Sequence, residues 1–434
     1  LLSRRQRQMC IRDSHCYNVK SNYTSSAFRS YDVWYANYKW IANVNYIIDA
    51  EPEMAGTEAD VAYVAGQAYA IRALCYLNLA TWFSRAPYNS LTGASRWNEP
   101  CVPVYTTGTS IDTGGQPRES LRTVYGRIDQ DIDRAIELLE KARETTLAEN
   151  NKSHINLYVA LGIKSRACLA EGDWDGAFKA AKRVIDEGGY AVGTKSDLTS
   201  GMNSLDKQNV MWGAGIQVAD QAGGYAGFFT HMDNKEGAYA KSAPKLISKQ
   251  LYNRISATDI RRDWWDPSDK ESPYVSKKFS FANVASFLGD YIYMRVEEMY
   301  FTAAEAALRL DDLKSARELM NTVMAERDPG YSANNRSGTL LGATTTTWTG
   351  SFLENILTHR RIELWGEYGR LFDVRRLGQG IDRRTDDGFS EECISMMNRR
   401  NVNITKADTY DWVLTIPKAE LDANPNINEE DQNP

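Results

Sequence analysis

Residues 359–378 read HRRIELWGEYGRLFDVRRLG, and this stretch decides how the chain folds. It combines five arginines and three carboxylates with a run of large apolar side chains. Ile362, Trp365 and Phe372 recur at helical spacing along one face, with Tyr368 or Gly369 between them. The spacing predicts one helix, and the apolar side chains beside the charges predict that the charges are buried. A buried charge needs a partner, because an unpaired one is costly to remove from water.

The charged residues of this stretch allow two interpretations. Glu363, Glu367 and Arg370 follow each other at pair-forming helical spacings. Arg370 and Asp373 are also spaced to pair, and Arg360 adds a further cation. Together these side chains form either a catalytic carboxylate cluster or an internal structural clamp. We favour the clamp, because structural ion-pair networks imitate the charge patterns of active sites.

The composition bounds the class of protein. The chain has 434 residues, enough for a large core and for one to three domains. Its 51 basic and 57 acidic side chains are interspersed, and no basic block marks a nucleic-acid partner. Six cysteines without a CxxC pair, and only four histidines, argue against a zinc site. No apolar run is long enough to cross a bilayer.

Residues 1–14, LLSRRQRQMCIRDS, do not fit the rest of the chain. They lack the apolar core of a signal peptide, a start Met and any helical or strand period. They resemble translated sequencing adaptor, so we expect a non-native leader at 1–14 and a single domain over 15–434. We also expect the native N-terminus, with any export signal, to lie outside this sequence.

Apolar residues at three- and four-residue spacing predict helices along both halves of the chain. The predicted segments are 31–50, 61–83, 121–143, 155–170, 174–187, 293–310 and 313–327. Two helix pairs, 155–187 and 293–327, repeat each other, with equivalent positions at Ala167 and Ala306, Leu169 and Leu308, Asp173 and Asp312, Ala177 and Ala316, and Val184 and Val323. Such pairs are typical of tetratricopeptide repeats, which stack to bury both faces. The sequence therefore predicts a mostly α fold, a tetratricopeptide-like scaffold (an α–α superhelix) over about 31–187 and 291–378.

Large irregular segments interrupt this predicted scaffold. Residues 88–118 carry several prolines and glycines, and residues 190–290 lose the helical period. The longer segment contains short β-like runs such as NVMWGAGI, glycine-rich turns and scattered aromatics. An extended tail closes the chain over 408–434. Because loops carry the binding residues of many scaffolds, we expect 88–118 and 190–290 to form the ligand-binding part.

Five segments together resemble the SusD/RagB family of Bacteroidetes surface lipoproteins. They are RALCYLNLATWFSRAPY at 72–88, DIRRDWW at 259–265, YMRVEEMYFTAAEAAL at 293–308, RRIELWGEYGRLFDVRRLG at 360–378 and LTIPKAELDANPNINEEDQNP at 414–434. The last two are the most specific, and the resemblance covers nearly the whole chain apart from its start. The departure is the N-terminus, where the family carries a lipoprotein signal and an anchoring Cys. Cys10 and Cys16 follow no apolar segment and do not match that Cys.

The resemblance implies a non-catalytic, mostly α-helical protein with four tetratricopeptide-like units. It further implies a lipid anchor, outside this sequence, that holds the protein on the extracellular face of the outer membrane. The partners it implies are an oligosaccharide ligand and a SusC-like TonB-dependent transporter, to which the protein delivers the sugar. The tetratricopeptide side would then face the transporter, and the irregular side the ligand.

Trp97 and Asn98 are the first candidate ligand-binding residues. Sugar binding needs flat apolar rings against the C–H faces of the sugar, and amide or charged groups for its hydroxyls. Trp97 and Asn98 offer both after the second predicted helix, in the loop region that often contributes to the glycan site of the resembled family. The alternative is a tryptophan that pins the loop to the scaffold.

The other candidates lie in the 190–290 segment. They are Phe229, His231, Trp264, Trp265 and Tyr274. Trp264 and Trp265 are adjacent, so in an extended strand their rings point to opposite faces and at most one is free for a ligand. A role in the core is the alternative for each of these aromatic side chains.

Function classes other than glycan capture would require other sequence features. No nucleophile motif, P-loop or dinucleotide fingerprint occurs, so we expect no enzyme, no catalytic residue, no cofactor and no metal. Surface binding for the uptake of peptides or another nutrient is the first alternative to glycan capture. A tetratricopeptide scaffold that binds only protein is the second, although it would not need the long aromatic, glycine-rich segment at 190–290.

Overall fold

The computed structural model describes residues 28–434, except for 91, 111, 146, 148–150, 218–226, 243, 337–349 and 381–408. The expected leader at 1–14, together with Cys10 and Cys16, lies outside the described residues. Within them helices dominate, and no helix is long and apolar enough to cross a membrane. The domain boundaries expected from the sequence stay a prediction.

The first half of the described chain consists of long helices. They are α1 (Phe28–Ala50), α2 (Glu58–Phe83), α3 (Leu121–Lys141), α4 (Leu157–Glu171) and α5 (Trp174–Glu187). Helices α2 to α5 begin at a side-chain cap that accepts a backbone N–H of the first turn, from Thr57, Ser120, Asn156 and Asp173 respectively. Helix α4 ends at Gly172, whose φ of +78° suits a left-handed helix end. The predicted helices are present, with bounds shifted by a few residues.

The second half alternates short elements with a second long helix pair. In chain order these are α6 (Lys195–Leu198), β1 (Val210–Ala214), α7 (Phe228–Met232), α8 (Ala238–Ser242), α9 (Lys249–Tyr252), β2 (Trp265–Asp266), β3 (Val275–Ser276), β4 (Tyr291–Arg295), α10 (Val296–Arg309), α11 (Leu313–Ala325), α12 (Phe352–Glu363), α13 (Arg370–Arg376) and α14 (Lys418–Ala423). Strand β1 pairs antiparallel with β4, and β2 with β3. Short 3₁₀ turns also form, among them Ile260–Trp264 directly before β2. The predicted mostly α fold with short strands in its irregular part is confirmed.

The two helix pairs, α4–α5 and α10–α11, are built alike. Their equivalent apolar positions are buried, namely Ala167, Leu169, Ala177, Val184, Ala306, Leu308, Ala316 and Val323. Asp173 and Asp312 each accept a backbone N–H of the following helix at 3.0 Å and so cap it. Helix α5 packs against α10, which places one pair on the other. The small side chains at fixed places let the helices approach, as in tetratricopeptide repeats.

The segment between α2 and α3 is tied to the scaffold by buried polar groups. Arg72 of α2 pairs with Asp131 at 2.7 Å and donates to the carbonyl of Thr106 at 2.9 Å. The Tyr76 hydroxyl donates to the carbonyl of Tyr105 at 2.9 Å. These bonds satisfy backbone carbonyls that would otherwise lie against the helices without a partner. The base of the 88–118 segment is therefore fixed.

The C-terminal tail closes the same end of the scaffold. The N–H of Leu414 donates to the carbonyl of Trp82 at 2.8 Å. The side-chain amide of Asn433 donates to the carbonyls of Phe83 and Leu414, both at 2.8 Å. Its oxygen accepts from Arg118 at 2.9 Å. The tail thus joins the end of α2 to the residues before α3, on either side of the 88–118 segment.

The stretch 359–378 does not form the one helix that its spacing predicts. Helix α12 ends at Glu363 and α13 begins at Arg370, with a turn between them. Gly366 and Gly369 in that turn have φ of +75° and +120°, which residues with a side chain rarely adopt. The two glycines therefore break the helix. Glu363 is buried at the end of α12, and Glu367 is buried in the turn that follows.

Glu363 is the centre of a buried ion-pair cluster, here called the Glu363 network. Its carboxylate lies 3.2 Å from the guanidinium of Arg261. It lies 3.0 Å from the guanidinium groups of Arg295 and Arg327. All four side chains have 0% relative exposure. Burial alone would raise the pKa of Glu363. These guanidinium groups instead hold that pKa well below its usual range.

Further pairs extend the Glu363 network. They are Glu367–Arg295 at 2.8 Å, Glu367–Lys278 at 2.5 Å, Glu297–Arg295 at 3.0 Å, Glu297–Arg327 at 2.8 Å and Asp259–Arg261 at 2.6 Å. Burial lowers the pKa of Lys278 to about 8. Burial opposes the charge of Glu367 as well, but Arg295 and Lys278 hold the pKa of that carboxyl at about 2. With Glu363 the network holds four carboxylates and four cations, so its formal charges cancel.

A second buried cluster, the Asp373 network, lies beside the first. Its pairs are Asp373–Arg360 at 2.9 Å, Asp373–Arg376 at 2.8 Å, Glu305–Arg376 at 2.7 Å and Glu298–Arg166 at 2.6 Å. The expected pairing of Arg370 with Asp373 is replaced, because Arg360 and Arg376 occupy Asp373 and half-buried Arg370 donates to Gln379 at 3.1 Å. The charges of 359–378 are thus matched largely by residues distant in the sequence. Arg360, Glu363, Glu367 and Asp373 have the buried, paired surroundings that a structural role requires.

Asp373→Ala tests the structural role of these pairs. Removal of the carboxylate leaves Arg360 and Arg376 buried with one partner fewer, which costs about 3–5 kcal/mol of folding free energy. We expect a lower melting temperature in thermal unfolding followed by circular dichroism. Asp422→Ala is the matched control, because Asp422 is 60% exposed and such a surface pair contributes about 0–1 kcal/mol. Equal melting temperatures for the two variants would contradict the structural role.

Candidate functional site

Trp97 and Asn98 lie in a turn, here called the Trp97 turn (residues 96–99), that is held against the start of α3. Trp97 is half-buried and Asn98 is exposed. The carbonyl of Trp97 accepts the N–H of Arg122 at 2.9 Å. The carbonyl of Glu99 accepts the N–H of Leu121, also at 2.9 Å. The backbone is therefore pinned on both sides of Asn98.

Two neighbours fix the orientation of the Trp97 ring. The ring meets that of Tyr125 edge to face, with the centroids 5.6 Å apart. The guanidinium of Arg122 lies 5.8 Å from the centroid of the indole, within the range of a cation–π contact. A ring that is already ordered loses little conformational entropy when a ligand binds. The half-exposed indole can therefore serve as a platform for a flat, apolar ligand face.

Charged side chains border the Trp97 turn. Glu99 accepts from Nε of Arg85 at 2.9 Å and lies 3.8 Å from Nε of Arg96. The Arg85 guanidinium lies 4.9 Å from the ring centroid of Tyr410, which connects this surface to the C-terminal tail. Carboxylate and guanidinium groups therefore stand next to the indole, where they can accept from and donate to ligand hydroxyls.

A small cavity lies next to the Trp97 turn. Its volume is about 20 Å³, and its lining includes Thr81, Arg85, Pro87, Tyr125 and Arg375. That volume holds about one water molecule. A sugar ring does not fit, so a ligand at the Trp97 turn would contact the surface rather than enter the scaffold.

Trp264 and Trp265 are buried, and the expectation of an exposed platform at either one is wrong. Their relative exposures are 2% and 1%. The indole N–H of Trp264 donates to the carbonyl of Leu198 at 2.7 Å. The ring of Trp265 meets those of Trp264 and Trp365, each at 5.8 Å. The chain forms a 3₁₀ turn up to Trp264 and is extended only from Trp265. The two side chains therefore do not alternate between opposite faces as they would in a strand, and both rings lie in one apolar cluster.

The remaining aromatic candidates of the 190–290 segment also pack inward. Phe229 is buried in an apolar cluster, where its ring lies 6.2 Å from that of Tyr291. His231 is buried and stacks on Tyr239 with the ring centroids 4.5 Å apart. Tyr274 is half-buried, in a left-handed backbone conformation with φ of +68°. Phe229 and His231 therefore present no exposed ring, and Tyr274 presents part of one.

The structure contains a polar cleft, here called the Arg262 cleft, that the sequence analysis missed. Its volume is about 450 Å³, within the range of small-ligand pockets. Its polar lining comprises Lys195, Thr258, Asp259, Arg262, Asp263, Asp266 and Lys277. In the sequence, the charged residues of DIRRDWW at 259–265 are the local feature that indicates this cleft. Lys195 and Lys277 come from other segments, and no spacing rule connects them to that motif.

Asp129 of α3 and Glu171 of α4 form a carboxyl pair between two packed helices. Burial, reinforced by the charge of Asp129, raises the pKa of Glu171 to about 9. Burial and the charge of Asp133 raise the pKa of Asp129 to about 6. The raised pKa favours the protonated, neutral form of Glu171 at neutral pH. Carboxyl pairs of this kind occur in catalytic sites, but this one lies where two scaffold helices meet.

Metal ligation and thiol chemistry have no support in the described part of the chain. No group of three or more His, Cys, Asp or Glu side chains there is arranged to hold a metal ion. Cys75, Cys101 and Cys168 are buried free thiols, and burial raises the pKa of each. These thiols are therefore protonated, and a protonated thiol is a poor nucleophile.

These observations define a class of protein: a helical-repeat scaffold whose irregular segments carry a turn with a half-buried tryptophan and a charged cleft. Two family models match the chain. The model described as the SusD family matches residues 234–434, and the model described as starch-binding associating with outer membrane matches residues 5–169. The chain belongs to the SusD/RagB family. The second match begins at residue 5, and the non-native leader at 1–14 stays a prediction.

Solved structures share this fold over most of the chain. A SusD-like carbohydrate-binding protein from Bacteroides vulgatus ATCC 8482 is 27% identical, with a TM-score of 0.73 over 92% of this chain and 83% of that one. A SusD superfamily protein from Bacteroides thetaiotaomicron VPI-5482 is 22% identical, with a TM-score of 0.74 over 92% and 85%. Surface glycan-binding protein A from Bacteroides uniformis is 18% identical, with a TM-score of 0.65 over 93% and 84%. The last two bear on the fold alone. No curated protein matches this chain.

Glu171→Gln tests the carboxyl pair. The folded-state pKa of Glu171 lies above its ordinary value of 4.5, so its contribution to stability is full below that pH and is lost as the pH rises toward about 9. The neutral Gln lacks this dependence. In urea unfolding we expect the variant to match the wild type near pH 4 and to be more stable by up to about 5 kcal/mol near pH 8.5.

The control for this comparison is Glu318→Gln, because Glu318 is 65% exposed. Its stability difference from the wild type should be small at both pH values, since a surface pair contributes about 0–1 kcal/mol. A difference for Glu171→Gln that does not change between the two pH values would show that Glu171 is ionised in the folded protein.

Proposed function

We propose that this chain is a non-catalytic binding protein that captures oligosaccharides at the bacterial cell surface. The observation that carries the proposal is the Trp97 turn, where an ordered, half-exposed indole stands beside the exposed amide of Asn98. The 27% identical relative is itself described as carbohydrate-binding, which supports the same class of ligand here.

The Trp97 turn offers the groups that a sugar ring requires. The indole face can pack against the C–H groups of a pyranose, and the Asn98 amide can both donate to and accept from its hydroxyls. The Arg122 guanidinium adds a donor next to the indole. Because the ligand would lie on a surface, the turn suits one unit of a longer chain that continues on both sides.

A single aromatic platform predicts weak and reversible binding. Stacking on one ring contributes about 1–3 kcal/mol, judged from bases stacked on aromatic side chains. After the cost of association, a few such contacts give dissociation constants in roughly the millimolar to micromolar range. Weak capture suits a protein that passes its ligand on.

The proposed receiver of the ligand is a SusC-like TonB-dependent transporter in the outer membrane. The family model over 5–169, described as starch-binding associating with outer membrane, supports a role at that membrane. An N-terminal lipid anchor would hold the protein on the extracellular face. In this arrangement the tetratricopeptide-like helices face the transporter, and the irregular segments face the ligand.

Trp97→Ala tests the proposed site. In calorimetric titration of the chain with an oligosaccharide selected on a glycan array, we expect an affinity loss of about tenfold or more, because the stacking contact is removed. Asn98→Ala should weaken the same binding through a lost hydrogen bond. Tyr35→Ala is the matched control, because Tyr35 is an aromatic residue of α1 that is 50% exposed, and it should bind as the wild type does.

Two results would count against the proposal. Unchanged glycan affinity in Trp97→Ala would remove the Trp97 turn from the site. Peptide binding in the absence of any oligosaccharide binding would favour the peptide-uptake alternative. Melting temperatures measured on the same samples separate a lost contact from a lost fold, since Trp97 also packs on Tyr125.

A further inference from the structure

The Arg262 cleft carries a further inference, which rests on the proposed function because it concerns the sugars that this protein captures. We propose that the cleft binds an acidic sugar unit, a hydroxylated ring that bears a carboxylate, such as a uronic acid. The cleft lies within the 190–290 segment, and its lining shares no residue with the Trp97 turn. It is therefore a second site with its own chemistry.

Two of the cations that line the cleft form no salt bridge with a described residue, although the charge of Lys277 contributes to the lowered pKa of Asp266. Lys195 and Lys277 are both exposed. Within the described residues neither ammonium group has a carboxylate partner within 4.0 Å or a hydrogen bond. Single lysines without a salt bridge are common on protein surfaces, but here two of them line the same concave space. Their charges add at one place, which is what an anionic ligand requires.

Arg262 is the third cation, and it is already held in position. Its guanidinium lies 4.3 Å from the ring centroid of Tyr252, and its Nη1 donates to the carbonyl of Ile255 at 2.6 Å. The other N–H groups of this guanidinium have no hydrogen bond within the part of the chain that the structure describes. A preorganised guanidinium with free donors matches the two oxygens of a carboxylate.

The acidic residues of the cleft leave an excess of positive charge. Asp259 faces the interior, where it pairs with Arg261 at 2.6 Å. Asp266 accepts the N–H and the hydroxyl of Ser268 at 3.0 and 2.7 Å, bonds that lower its pKa. Asp263 is exposed and has no such bond among the described residues. Three cations thus face two aspartates, and Asp263 is available to accept from a ligand hydroxyl.

Aromatic rings line the cleft without forming a stacking platform. Trp265 and Tyr252 are both buried, and Arg262 covers the ring of Tyr252. A ligand in this cleft is therefore recognised by charge and hydrogen bonds. The Trp97 turn selects flat apolar faces, whereas the Arg262 cleft selects acidic sugars over neutral ones.

The test is calorimetric titration of the chain with glucuronic acid, and with glucose and acetate as separate probes. We expect glucuronic acid to bind at least about tenfold more tightly than either probe, because glucose lacks the carboxylate and acetate lacks the hydroxyls. Raising the NaCl concentration from about 50 to about 500 mM should weaken the binding of glucuronic acid, because salt screens exposed charges.

Variants locate the binding. The double variant Lys195→Gln, Lys277→Gln should lose about tenfold or more in affinity for glucuronic acid, since two charge-assisted contacts are removed. Lys314→Gln is the matched control, because Lys314 of α11 is 86% exposed and lies outside the cleft lining, and it should bind as the wild type does.

The inference is overturned if glucose or acetate binds as tightly as glucuronic acid. It is also overturned if the double lysine variant keeps its affinity for glucuronic acid. If neutral oligosaccharides bind and glucuronic acid does not, the inference fails and the proposed function stands. If glucuronic acid binds in the cleft while no oligosaccharide binds at the Trp97 turn, the inference on the cleft holds and the assignment of the Trp97 turn as a sugar site fails.

Discussion

The Glu363 carboxylate is the charge on which the rest of the structure depends. Three guanidinium groups meet it with no exposure to solvent. The further members Asp259, Glu297, Glu367 and Lys278 bring the formal charge of the network to zero. Breaking a buried pair leaves a charge without compensation, so each member of the network constrains the others. The network therefore holds the 3₁₀ turn Ile260–Trp264, strand β4 and helix α12 together, and through them it anchors the irregular 190–290 segment to the helical scaffold.

Local patterns predict the helical part of this fold, because caps and apolar periodicity act within one turn of chain. Asp173 caps α5 at the position equivalent to Asp312, which caps α11. The same patterns fail at 359–378, where Gly366 and Gly369 adopt positive φ and end a helix that the spacing continues. Helical spacing also predicts a pair between Arg370 and Asp373. In the structure Asp373 pairs with Arg360, which lies thirteen positions before it in the chain. Ion pairs between distant segments leave no signal in local spacing.

The candidate site is harder to predict than the fold, because exposure is a tertiary property. A tryptophan in a loop has the same local sequence whether it faces solvent or the core. Trp97 is half-exposed, whereas Trp264 and Trp265 fill an apolar cluster. The charges beside those two tryptophans line a cleft together with Lys195 and Lys277, which come from segments on either side of the motif. The polar neighbours of the buried rings, rather than the rings, carry the surface chemistry of this segment.

Amide hydrogen exchange of the wild type and of Glu363→Gln tests the central role of Glu363 most directly. The substitution leaves three buried arginines with one carboxylate fewer, so we predict faster exchange in Ile260–Trp264, in Tyr291–Arg295 and in Phe352–Glu363. Helices α2 and α3, which are joined by their own pair of Arg72 and Asp131, should exchange as in the wild type. Unchanged exchange in the first three segments, or an equal increase in α2 and α3, would contradict the central role of Glu363.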